Sequence, residues 1–106
     1  MAEYAVAFVT TSGDEESRKI AQVLLDKKLA ACVNIVPQIE SLFIWEGKLD
    51  SDKESLMIIK TTKAMVSELI EEVRKNHSYE VSETICLPII QGNEPYLRWI
   101  SEVVKG

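Results

Sequence analysis

The sequence is short of the residues that build metal clusters and covalent frameworks: one histidine and two cysteines in 106 residues. Cys32 and Cys86 stand far apart, each inside an apolar run, and no CxxC occurs. So sparse a set argues against a disulfide framework. Both thiols read as small hydrophobes packed in the interior, with Cys32 also open to reading as a soft metal ligand. No apolar stretch approaches the roughly 18 residues that span a bilayer. No basic segment followed by an apolar one opens the chain. A reducing, cytoplasmic setting follows as the expectation. Positive charge is also scarce: 12 bases against 17 acids give a formal charge of -5, which argues against a nucleic-acid binder. Glycine is rare, and there is no glycine-rich phosphate loop, HExxH or GxSxG. Nothing marks an enzyme, and the expectation is a non-catalytic protein.

What is present is a regular alternation of periods. Tyr4 to Thr11 reads as a buried strand. Ser12-Gly13-Asp14 breaks it, with Ser12 and Glu15 spaced as a capping box and Asp14 as a rival N-cap. Ile20, Val23, Leu24 and Leu25 then give helical spacing up to Leu29. Ala31 to Trp45 is a second extended run, Glu46-Gly47 a turn, and Lys48 to Thr62 a returning strand. Its Leu56-Met57-Ile58-Ile59 tract suggests cover on both faces. Thr61 or Thr62 caps a second helix whose stripe is Met65, Val66, Leu69, Ile70 and Val73, ending at Asn76-His77-Ser78. Glu83 to Gln91 is a fourth strand, in which Pro88 demands an edge or a bulge. Asn93 caps a last helix with Pro95 in its first turn. The β-α-β-β-α-β order predicts an α+β, ferredoxin-like sandwich with a C-terminal helix, one domain over residues 1–106. An RNA-recognition domain shares this order but displays aromatics on basic strands, whereas these strands are aliphatic and the chain acidic.

The central hairpin is long for its domain. Roughly 13 residues at about 3.3 Å each reach on the order of 40 Å, against a radius of gyration of about 13 Å for such a chain. Its far part carries Leu42, Phe43, Ile44 and Trp45, an apolar patch that calls for cover by other copies. The competing reading has Pro37 break the strand and fold the hairpin back on its own subunit.

His77, near a helix C-terminus that favours an imidazolium, is either a packing residue or a ligand contact. Glu83, Glu80 and Cys32 are its candidate metal partners, since a transition-metal site wants three or four ligands. Lys60, at the end of an apolar strand, either snorkels to solvent or meets a carboxylate or anion in a cleft. Trp45, Tyr79 and Trp99 either anchor packing or line that cleft.

Strings along the whole chain resemble the CutA family of divalent-cation tolerance proteins. They are Val9-Thr10-Thr11, Leu29-Ala30-Ala31-Cys32-Val33-Asn34, Trp45-Glu46-Gly47-Lys48, Ile59-Lys60-Thr61, His77-Ser78-Tyr79-Glu80-Val81, Leu87-Pro88 and Tyr96-Leu97-Arg98-Trp99. The resemblance implies a homotrimer similar to the PII signalling proteins. It also implies binding of Cu(II) or another divalent cation, not required for folding, and no established catalysis. Ser78 and Ser82 stand where the family has proline. Thr10 and Asn76 stand where some bacterial members have a metal-ligand type, so that only His77 remains of that group. The alternative is a trimeric scaffold that takes a small anion or a protein partner at its subunit clefts.

Overall fold

Strict alternation between Tyr4 and Thr11 sends Ala5, Ala7, Val9 and Thr11 to one side of an extended segment. In the computed structural model, which describes residues 3–106, these four are buried along strand β1 (Tyr4–Thr11). Helix α1 (Asp14–Asp26) follows. Its start departs from the expected capping box. Glu16, not Glu15, accepts from the Ser12 amide (3.0 Å) and hydroxyl (2.9 Å). Its end is also earlier than Leu29. Lys28 takes φ 57°, and the Leu29 amide donates to the Leu24 carbonyl at 2.9 Å while that of Lys28 donates to Leu25 at 3.1 Å. This is a Schellman end, with Leu24 and Leu29 meeting across it, both fully buried.

Strands β2 (Cys32–Trp45) and β3 (Lys48–Thr62) form the hairpin. Glu46 (φ 50°) and Gly47 (φ 78°) both have positive φ, the signature of a two-residue type I′ turn that matches strand twist. Pro37 does not fold the hairpin back. It lies in a one-residue bulge between the pairs Val36↔Leu56 and Ile39↔Glu54, where Gln38 takes φ 56°, and the ladder continues to Trp45↔Lys48. The molecule extends 45 × 26 × 22 Å, with a radius of gyration of 14.3 Å.

A 3₁₀ turn (Lys63–Met65) separates β3 from helix α2 (Val66–Asn76), so Thr62 caps that turn and Met65 precedes the α-helix. Strand β4 (Thr84–Ile89) is shorter at both ends than expected, and helix α3 (Glu94–Val103) follows, with Asn93 at its N-cap but no side-chain capping bond. The antiparallel sheet has the order β2-β3-β1-β4. That puts Pro88 on an edge strand, where its missing N–H costs no ladder bond.

Helices α1 and α2 cover one face of the sheet. Ala7, Val9, Ile20, Leu24, Met57, Ile59, Leu69 and Val73 form that core. The other face is open. Register places Val6, Phe8 and Thr10 on it, beside Lys60, Ile58 and Leu56 of β3 and Leu87 and Ile85 of β4. Leu56 and Ile58 are therefore only half-buried, so within one chain the Leu56–Ile59 tract is covered on one face rather than two. Helix α3 closes just one end of this open face, through Leu97, Ile100 and Val104 packed with Tyr4 and Ile89. The cysteines part company as well. Cys86 pairs with Ala7 on the helix side and Cys32 with Lys60 on the open side, and neither is fully buried.

Candidate functional site

The open face has two chemically different ends, set by which β3 residues point outward. Even-numbered residues of β3 share that face. Toward the turn they are Glu54, Asp52 and Asp50; toward α3 they end in Lys60 and Thr62. The bulge at Pro37 and Gln38 shifts β2 by one residue, so beyond it Ser41, Phe43 and Trp45 oppose Asp52, Asp50 and Lys48.

At the acidic end the chain forms a groove of about 960 Å³, walled by the hairpin on one side and residues 79–83 on the other. Glu40, Asp50, Asp52, Glu54, Glu80 and Glu83 line it, with Phe43, Trp45 and Tyr79. Glu83 accepts a long hydrogen bond (3.5 Å) from the Thr10 hydroxyl. Tyr79 donates its hydroxyl to Glu54 Oε2 at 2.9 Å, tying the loop to the hairpin base. Burial first, then this bond and the charges of Glu54, Asp52 and Glu16, push the phenol well above its ordinary range.

His77 sits behind this groove, with no exposed side-chain surface. Its Nε2–H donates to the Thr10 carbonyl at 2.7 Å, and its Nδ1 accepts from the Tyr79 amide at 3.0 Å. A carbonyl cannot donate and an amide N–H cannot accept, so these partners hold the ring as the neutral Nε2–H tautomer. This differs from the imidazolium expected at a helix end, because the ring turns away from α2 and toward β1. The nearest carboxylate, Glu16 Oε2, lies 3.9 Å from Nδ1 and is itself engaged. It accepts from the Ser78 amide at 2.6 Å. Burial pushes the Glu16 carboxyl up, but the bonds from Ser12 and Ser78 outweigh it and bring it down to about 2.

The structure thus divides the candidate residues. Glu83 and Glu80 face the groove, His77 stands behind Thr10, and Cys32 lies at the opposite end beside Lys60. Among the described residues no three His, Cys, Asp or Glu side chains gather closely enough to hold an ion. Trp45 and Tyr79 share the acidic groove, whereas Lys60 and Trp99 belong to the α3 end. The groove's Asp50, Asp52 and Glu54 were not singled out from the sequence; their period of two on one strand is the signal that puts them together.

The family profile described as "CutA1 divalent ion tolerance protein" matches residues 5–103. The Divalent-cation tolerance protein CutA of Thermus thermophilus is 42% identical over 97 residues, covering 92% of this chain and 94% of its own. The Arabidopsis thaliana "Protein CutA, chloroplastic" is 50% identical over 101 residues, covering 95% of this chain and 56% of its own. The chain spans between 56% and 66% of the length of the vertebrate and plant relatives. Among solved structures, the "Periplasmic divalent cation tolerance protein CutA" of Archaeoglobus fulgidus superposes with a TM-score of 0.93 at 41% identity, covering 96% of this chain and 99% of that one.

Proposed function

Since this chain belongs to the CutA1 divalent ion tolerance family, we propose that it binds divalent cations, copper foremost, as a homotrimer in metal tolerance, without catalysing a reaction. The observation that carries this reading is the carboxylate-lined groove between the hairpin and residues 79–83. Asp50, Asp52 and Glu54 on one sheet face, with Glu80 and Glu83 beside them, make a strongly negative surface that attracts cations. Glu83 and Glu80 meet an ion there directly. For His77 to join them it must release either the Thr10 carbonyl or the Tyr79 amide. Cys32, at the far end of the face, adds its soft sulfur only to an ion held at that end or across a subunit boundary.

Assembly is supported by the hairpin tip. Leu42 (65% exposed), Ile44 (68%) and Leu49 (72%) lie on one face of it and Trp45 (56%) on the other, and the open sheet face adds a separate apolar surface in Phe8, Ile58 and Leu56. Burying each such side chain contributes about 1.5–3 kcal/mol, enough together to drive association. We place the protein in the cytoplasm: its two thiols lie on opposite faces of the sheet and cannot bridge within a chain. Two of the relatives carry other compartments in their names, so cell fractionation decides this point.

The metal reading is tested by calorimetric titration of Cu(II), Zn(II) and Mg(II) into metal-free wild type, His77→Ala and Glu83→Gln. Micromolar Cu(II) binding lost in either variant supports it; binding no tighter than millimolar by all three overturns it. Static light scattering at micromolar concentration tests the trimer.

A further inference from the structure

Lys60 is an ammonium set among apolar neighbours on the open face. Val6 lies across the ladder on one side and Cys32 on the other, with Ile58 beside it on its own strand. Among the described residues its one hydrogen-bond partner is neutral, the Asn34 side-chain oxygen. Lys27, Lys63, Lys105 and Arg74 each hold a carboxylate, but among the described residues none pairs with Lys60. The acids of its own face are out of reach. Glu54 stands six residues away along β3, about 20 Å at strand rise. In one chain the Lys60–Asn34 hydrogen bond is exposed to solvent; assembly over the open face would strip that water and leave a cation without a counter-charge, which is costly.

The surroundings are donors. With its oxygen turned to Lys60, the Asn34 amide presents its NH₂ outward. Tyr96 of α3 lies beside Cys32, and its phenol is an O–H donor. Trp99 packs on Tyr96 with ring centroids 5.5 Å apart, and both rings are about two-fifths exposed. One positive charge, two neutral donors and an aromatic shelf fit a singly charged planar group with an apolar body. They do not resemble a phosphate site, which gathers several cations or a run of backbone amides.

We propose that Lys60, Asn34 and Tyr96 form a subsite for the carboxylate of a small organic acid whose body lies on the Tyr96–Trp99 pair. Lys60 supplies the charge, and Asn34 and Tyr96 orient the two oxygens. The site needs no metal and lies at the opposite end of the face from the acidic groove, so it stands or falls apart from the cation reading.

The test is calorimetry with benzoate, and with benzamide as its neutral counterpart, on intact wild type freed of metal over a chelating resin at constant ionic strength. Saturable benzoate binding with no benzamide binding is expected. Lys60→Met should weaken benzoate at least tenfold. Asn34→Asp provides the second arm, because it sets a carboxylate against Lys60 from within the chain. This variant should keep or raise the melting temperature and the assembly size, yet lose benzoate at least tenfold. Absence of benzoate binding to wild type, equal binding of benzoate and benzamide, or wild-type affinity in either variant overturns the proposal. So does dissociation of the Lys60→Met assembly, which would mean that Lys60 meets a carboxylate of a second copy.

Discussion

The side chain of His77 reaches back across 67 residues of sequence to the carbonyl of Thr10, 2.7 Å from its Nε2. That bond joins the loop after α2 to the end of β1, and the Tyr79 amide holds the other ring nitrogen. Replacing His77 by Ala leaves a buried carbonyl and an amide unmatched. A loss of about 2–3 kcal/mol is expected, read as a lower urea midpoint at unchanged slope. Amide exchange at Tyr79 should quicken more than exchange in β1. A purely ligand-binding histidine would leave both quantities where they are.

Glu16 ties the same loop to α1. Its carboxyl is held near 2 in the folded chain, below the ordinary value of 4.5. A depressed folded value means that the carboxylate stabilises the fold above about pH 4.5. That stabilisation is lost as pH falls from there toward 2. Melting temperatures of wild type and Glu16→Gln should therefore differ most at neutral pH and converge between pH 4.5 and 2. A constant gap over that window would remove Glu16 from the acid response.

Lys28 occupies the left-handed position at the end of α1, where a side chain is strained and glycine is not. Lys28→Gly should raise stability by up to about 1 kcal/mol, seen as a higher melting temperature with unchanged assembly. Lys28→Val, β-branched at the same φ, should lower it.

Much of this was written in the sequence. The hairpin, its length and its exposed tip follow from alternation and the Glu46-Gly47 turn, because strand period and turn chemistry are local properties. Legibility fails where geometry depends on distant partners. The choice of Glu16 over Glu15 for Ser12 reflects how α1 meets residue Ser78. The neutral tautomer of His77 reflects the arrival of β1 beside it. At the site, Lys60 stood out as a charge in an aliphatic strand, but Asn34 and Tyr96 became its company only through the β2–β3 register and the docking of α3. The separation of Cys32 from His77 was invisible for the same reason: nothing local fixes which end of a sheet a side chain occupies.

The hairpin tip predicts a clean separation of folding from assembly. Leu42→Asp with Ile44→Lys places charges on a surface that nothing in one chain covers. Light scattering should then report a smaller species, while the far-ultraviolet circular dichroism stays that of the wild type. An unchanged mass would remove the tip from the interface.

The single extra residue at Pro37–Gln38 works as a selector of sidedness for everything beyond it. A ladder running on unbroken from Val36 with Gln38 retained would turn the outer segment of β2 over by half a rotation, setting Leu42 against Asp50 and Ile44 against Lys48 in place of Phe43 and Trp45. Leu42 and Ile44 would then look into the hollow beside Asp50 and Asp52, and Phe43 and Trp45 would look away from it. One residue left unpaired in the ladder therefore decides whether the carboxylates face aromatic rings or branched aliphatic chains.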